Sequence, residues 1–315
     1  MKKTAIAFAG AFVCCFLWGS AFPGIKIGYE LWNIEQQETW RIIRFAGLRF
    51  FLAGVLVILF GSVIQKRLLI PRKDEWPKII LLSLFQTIGQ YVFFYEGLAH
   101  TTGVNSAVVD SLTAFFAIII AACVMKMEKL TTGKILGCVF GFAGVLLINI
   151  TPEGFSFRPL GDGLIALSAL CYGVSSSLIK KYSAEHDTVL FSGYQFAFGG
   201  FVMAALGQAG IVVTGERSTG GIASGEMTAA VMILVYLALV SSVAYTLWGI
   251  LLRTNDVSRI SIFGFMTPVI GVILSALLLG EAGTLGVKHI LSLVLISIGI
   301  VVVNRKTIER KETDE

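Results

Sequence analysis

An all-α integral membrane protein, with ten transmembrane helices arranged as two inverted five-helix repeats, is the fold class this sequence predicts. Three observations lead to it. The 315 residues are 56% hydrophobic and only 14% charged, with a mean hydropathy of +0.82, whereas a soluble domain carries roughly a quarter charged residues. Apolar runs of about 20 residues, the length that crosses a hydrocarbon core, recur with the charges mostly confined to the gaps between them. Finally, the two halves of the chain echo each other in order.

Windows of about 19 residues on a transfer scale place the first five spans at Ala5–Ile27, Ile43–Ile64, Lys78–His100, Val104–Met125 and Gly133–Thr151. The second five follow at Asp162–Tyr182, Leu190–Val213, Thr228–Leu252, Arg259–Gly280 and Leu285–Asn304. Residues 5–151 and 162–304 are thus the two repeats, and 305–315 a polar tail. The segment Thr214 to Glu226, rich in Gly and Ser, reads as a mobile external loop.

Lys and Arg fix the orientation, because short cytoplasmic segments are enriched in them. One side holds Lys2, Lys3, Lys66, Arg67, Arg72, Lys73, Lys78, Lys126, Lys129, Lys134, Lys180, Lys181, Arg253, Arg259 and the basic tail. The other holds Lys26, Arg41, Arg44, Arg158, Arg217 and Lys288. Both termini are therefore expected in the cytoplasm, which an even number of spans satisfies. The net charge of +5 sits in clusters at helix ends rather than along one face, which argues against nucleic acid as a partner. The five cysteines lie within apolar runs and act as small hydrophobes. The three histidines, His100, His186 and His289, are scattered without metal-ligand spacing, and no ATP-binding motif is present. No cofactor and no enzymatic chemistry are expected.

The repeat is visible in the letters. Gly144–Asn149 (GVLLIN) matches Gly299–Asn304 (GIVVVN); Trp18-Gly19 with Ile25-Lys26 matches Tyr172-Gly173 with Ile179-Lys180. Gly47, Phe50 and Gly54 match Gly193, Phe196 and Gly200, and Glu128 with Thr131 and Gly133 matches Glu281 with Thr284 and Gly286. With an odd number of spans per repeat, the second enters the membrane from the opposite side, the arrangement that lets two halves exchange conformations around a midplane site. A counterpart for span one in span six also argues that the N-terminal span is retained rather than cleaved as a signal peptide.

Leu17-Trp18-Gly19-Ser20 with Lys26, Arg49-Phe50, and Leu278–Glu281 after Pro268 carry a resemblance to the EamA-type branch of the drug/metabolite transporter superfamily, from Ala5 to Asn304. Ala114-Phe115 stands where the family usually has a proline in span four, and Met127-Glu128 where it has Gly-Glu. The resemblance implies a carrier of amino acids, nucleosides, sugars or amphipathic drugs without choosing among them.

Ionisable residues at membrane depth are functional candidates by default. Arg49 and Asp110 share a depth, and Glu96 lies near the outer end of span three with His100 one turn on. Arg49, Asp110 and Glu96 are therefore candidates for an ion pair or for a proton-exchanging carboxylate. Asp110 shares a stripe with Ser106 and Thr113. Aromatic walls with a few fixed polar groups suit small organic ligands. Trp18, Gln86, Gln90, Tyr91, Tyr172, Gln195, Tyr245 and Trp248, with Arg49, are the candidate substrate pathway, Gln195 being the repeat partner of Arg49. Pro23-Gly24 is expected to loosen the helix beyond Trp18, Lys26 to reach the outer interface, and Glu128 and Glu281 to cap turns. A secondary transporter in the cytoplasmic membrane, exporting a small molecule, is the expected function. Uptake or a non-transporting sensor is the alternative, and homodimerisation stays open.

Overall fold

The apolar runs fold as helices because only internally hydrogen-bonded backbone survives in lipid. The computed structural model describes residues 2–127, 129–148, 150–151, 154–155, 157–215, 222, 225–254, 266–281 and 286–312. The helices are α1 (Lys2–Leu31), α2 (Thr39–Ile64), α3 (Trp76–Ala99), α4 (Gly103–Val124), α5 (Thr132–Ile148), α6 (Pro159–Tyr182), α7 (Thr188–Thr214), α8 (Met227–Thr254), α9 (Met266–Leu278) and α10 (Val287–Glu312). Seven of them, α1 to α4 and α6 to α8, are long and apolar enough to cross a bilayer; Thr132–Leu147, Met266–Leu278 and Val287–Gly299 are shorter apolar stretches. Among the described residues the only strands are β1 (Ile150–Thr151) and β2 (Gly154–Phe155), an antiparallel hairpin.

Several boundaries differ from the sequence reading. The fifth span ends at Ile148, with Ile150 and Thr151 in the hairpin instead. Helix α1 runs on to Leu31 with Pro23 inside it; Gly24 there packs against Leu237 of α8, 3.1 Å from where a Cβ would stand. The start of the ninth span, Glu128, Thr284 and most of the Thr214–Glu226 loop lie outside the described residues.

Glycine decides the packing. Without a hydrophobic drive between helices in lipid, close approach of backbones supplies the contact energy. Helices α2 and α7 cross backbone to backbone: Gly47 faces Gly200 and Ala204, Gly54 faces Gly193 and Ala197, and Gly207 faces Trp40 and Arg44. Helices α5 and α10 meet in the same way, with Gly299 on Gly137 and Gly141, and Gly144 on Ser292 and Ile296. Around these two pairs, α1 packs on α8 and α9, α6 on α3 and α4, α2 on α8, α7 on α3, and α4 on α9.

Two helices depart from α geometry. In α3, Leu84–Gly89 forms a π turn; α4 breaks at Ser111, directly after Asp110, and continues from Leu112 to end in a second π turn at Ile120–Val124. The two ends of the bundle carry polar clasps. At one end Glu281, beyond α9, accepts hydrogen bonds from the Gly103 and Val104 N–H groups, 3.1 Å each, at the start of α4. Its capping role therefore acts on another helix rather than on its own turn, where four N–H groups are otherwise orphaned. Its charge and that of Glu30 reach Lys26. At the other end the buried His186 joins Glu75 (3.0 Å) and Lys78 (2.8 Å), while Arg67 pairs with Asp187 at 2.5 Å.

Candidate substrate site

An aromatic and polar box lies where α1, α2, α3, α7 and α8 meet. Tyr245 is its centre. On α8, Ser241, Tyr245 and Trp248 follow one another at i, i+4 and i+7, so they share a face. The Tyr245 hydroxyl is hydrogen-bonded to that of Tyr91 on α3. The Trp18 ring of α1 meets Tyr245 and Trp248 edge-on, with centroids 5.2 and 5.0 Å away. Phe196 of α7 meets Tyr245 at 4.9 Å, and Phe50 of α2 is stacked between Phe196 (5.5 Å) and Tyr91 (3.9 Å). These edge-to-face and offset contacts suit the ring quadrupoles and fix the walls.

Polar groups line this box with unused hydrogen-bonding capacity. Gln195 is fully buried; its side-chain and backbone oxygens accept from the Thr87 hydroxyl, and the backbone oxygen also from Ser83 at 2.9 Å. Its amide nitrogen has no partner. The Gln90 amide bonds the Tyr245 phenol, but its side-chain oxygen, like the Trp18 indole nitrogen, is buried without a partner among the described residues. Buried polar atoms are nearly always satisfied, so these unsatisfied groups need a reason.

Arg49 is 3% exposed and uses its guanidinium on neutral oxygens. Nε donates to the Leu237 carbonyl (3.0 Å), Nη1 to the Tyr95 hydroxyl (2.5 Å) and Nη2 to Ser241 Oγ (3.0 Å), and the charge lies 4.9 Å from the Phe50 ring centroid. The expected pairing with Asp110 or Glu96 is thus not the arrangement found. The Tyr95 phenol intercepts the guanidinium, while Glu96, the next residue round the helix, turns to Thr39 (2.9 Å) and lies 3.9 Å from His100. Asp110, at the break in α4, receives no hydrogen bond or ion pair among the described residues and lies near Tyr172 and Tyr245.

Of the residues singled out in the sequence, Trp18, Gln90, Tyr91, Tyr245 and Trp248 come together and Arg49 adjoins them, Tyr172 and Asp110 lie near Tyr245, and Gln195 is held apart by Thr87 and Ser83 of α3. Gln86 is buried in the π turn and takes part in none of these contacts, and Glu96 stands apart at the end of α3. Tyr95, Phe196 and Thr87 were not singled out. Tyr95 follows Tyr91 by one turn and Phe196 adjoins Gln195, so both carried a readable signal.

Known proteins resemble this chain over most of its length. It is 26% identical over 292 residues to an uncharacterized transporter of Archaeoglobus fulgidus, covering 91% of this chain and 95% of that protein. It is 27% identical over 302 residues to a protein of Salmonella typhimurium named "Probable amino-acid metabolite efflux pump", covering 92% of each. One crystal structure aligns with 96% of this chain and 99% of its own, with a TM-score of 0.65 at 19% identity, a likeness of fold. The EamA-like transporter family matches residues 5–150 and again 159–305, and the chain belongs to that family as a multi-pass membrane transporter rather than an enzyme.

Proposed function

We propose that the chain is a secondary transporter of the cytoplasmic membrane that moves a small, amino-acid-like or amphipathic molecule by alternating access, with export as its direction. The observation that carries this reading is the box around Tyr245: aromatic walls from five helices surround a donor on Trp18 and an acceptor on Gln90 that no described residue satisfies. A bound solute would complete them. The printed name of the Salmonella relative supports an amino-acid-like solute and the outward direction.

The helix contacts support two inverted five-helix repeats. Exchanging each helix with the one five places on turns α1 on α8 into α6 on α3, α1 on α9 into α6 on α4, and α2 on α8 into α7 on α3, all of which occur. Pairs α2 with α7, α5 with α10 and α4 with α9 map onto themselves. The distribution of Lys and Arg supports cytoplasmic termini. With these ends inside, Glu281 clasps the outer end and His186 the inner.

The test is flux of radiolabelled amino acids, nucleosides and other small metabolites in proteoliposomes, with and without a pH gradient, alongside Asp110→Asn and Glu96→Gln. Saturable flux supports the reading. Loss of gradient coupling in Asp110→Asn alone identifies the titrating carboxylate. Folded protein that moves none of these solutes favours a sensor.

A further inference from the structure

From the site just proposed as a solute site, and resting on that reading, we infer that Arg49 is the receptor for an anionic group, so that the transported solute bears a carboxylate whose apolar body lies in the Tyr91–Tyr245–Trp18 box.

The charge balance of the interior carries the argument. Removing a guanidinium from water costs several kcal/mol unless an anion and hydrogen bonds compensate it. At Arg49 the hydrogen bonds are present and no anion among the described residues pairs with it: its three partners are a backbone carbonyl, a phenol and a hydroxyl. A guanidinium has five N–H donors in a planar fork, so three bonds leave two donors unassigned. Neither acid of the neighbouring helices supplies the charge. Glu96 faces Thr39 and His100, and Asp110 lies near Tyr172 and Tyr245, with no ion pair to Arg49 among the described residues. Had the site needed only a link between α2, α3 and α8, a neutral amide could make comparable hydrogen bonds without burying a charge.

Geometry then gives the size of the solute. Ser241, which holds Arg49 Nη2, stands seven residues before Trp248 on the same face of α8. At 1.5 Å per residue that is about 10 Å, the length of a carboxylate joined to a single ring or a short aliphatic chain. Tyr245 lies between, one turn from each end. The carboxylate would take two N–H donors of Arg49 side by side, as guanidinium and carboxylate prefer, and could displace the Ser241 or Tyr95 oxygen at no cost in count. The unsatisfied groups of Trp18 and Gln90 are left for the polar substituents on the body.

The experiment compares matched solutes that differ only in the anion, on the purified full-length protein in nanodiscs and in proteoliposomes. The pairs are 3-phenylpropionate with 3-phenylpropionamide, and phenylalanine with phenylalaninamide, read by quenching of tryptophan fluorescence and by counterflow. In the wild type each acid should bind at least about tenfold more tightly than its amide, a difference of about 1.4 kcal/mol. In Arg49→Gln the ratio should fall to within about twofold, and Arg49→Lys should keep the preference for the acid at reduced strength. Should Arg49→Gln not fold, the wild-type ratio decides alone. Amides that bind and move as well as the acids would overturn the inference while leaving the transporter reading intact. Absence of saturable binding or flux for every solute, acids and amides and uncharged metabolites alike, would overturn both.

Discussion

Gly200→Ala tests whether the α2–α7 crossing holds the site in place. A Cβ at Gly200 would meet the backbone of Phe50 and Phe51, with the Phe50 carbonyl carbon at 2.6 Å, whereas ordinary contact begins at 3.4 Å. The Phe51 backbone nitrogen would be closer still, so the axes must part by at least about 0.8 Å locally, since the obstacle is backbone and no side chain can swing away. Alanine would favour the helix by about 0.8–1 kcal/mol over glycine. Overpacking a tight contact costs about 1–3 kcal/mol, occasionally more. With backbone as the obstacle the upper end applies, and the expected net loss is about 2 kcal/mol.

The assay is equilibrium unfolding by dodecyl sulfate in mixed micelles, with helical circular dichroism as the signal. Gly286→Ala serves as control, because no described residue lies within 4 Å of a Cβ there, and should stay within about 0.5 kcal/mol of wild type. Gly47→Ala, facing the Ala204 backbone and the Gly200 carbonyl, should lose as much as Gly200→Ala. Phe196 sits one turn from Gly200, so the displaced α7 also carries away a wall of the box, and transport should decline together with stability. Wild-type stability in both Gly200→Ala and Gly47→Ala would refute the claim that this crossing is backbone to backbone.

Three other outcomes follow from single contacts. Glu281→Ala removes the carboxylate that accepts from Gly103 and Val104, so stability should drop by about 1–2 kcal/mol, as for other lost helix caps, with Glu281→Gln in between; unfolding curves that coincide with wild type would exclude the clasp. His186→Ala leaves the nearly buried Glu75 without its imidazole partner, and a cost of about 1–3 kcal/mol is expected in the same titration. Tyr91→Phe and Tyr245→Phe each break one phenol–phenol bond, so the double variant should be less destabilised than the sum of the singles by about 0.5–1.5 kcal/mol; strict additivity would mean that the two hydroxyls do not meet.

Much of the fold was legible because bilayer thickness and backbone satisfaction leave a chain of this composition little choice. The glycines that match between the halves, Gly47 and Gly54 with Gly193 and Gly200, are the ones that face each other in the α2–α7 crossing. The aromatic part of the site was legible for a similar reason: Ser241, Tyr245 and Trp248 keep regular helical spacing, so their shared face could be counted. The partners of Arg49 were not. Equal depth of Arg49 and Asp110 says nothing about azimuth, and the neighbouring Tyr95, rather than Glu96, has the angle that points at α2. Gln86 failed for a different reason. The π turn at Leu84–Gly89 inserts extra residue per turn, which shifts the phase of Gln86 relative to Gln90 and takes it off the stripe that an ideal helix would draw.

The positions of the irregular turns divide the bundle into stiff and yielding parts. Helices α2 with α7 and α5 with α10 are joined by glycines along their length, and separating them would forfeit every close contact at once. By contrast α3 and α4, which flank α6 and bear Tyr91, Gln90 and Asp110, contain the π turn and the break after Asp110, where regular i to i−4 bonding is interrupted. Such turns open more easily than the rest of a helix. Amide exchange measured in nanodiscs should therefore be faster around Leu84–Gly89 and Asp110–Ser111 than around Gly47–Gly54 or Gly193–Gly200. A saturating solute should slow it at the first two places if, as proposed, it seats against Gln90 and Tyr91. Equal protection across all four segments, with and without solute, would mean that the irregular turns are fixed geometry and that any motion between states is carried by other helices.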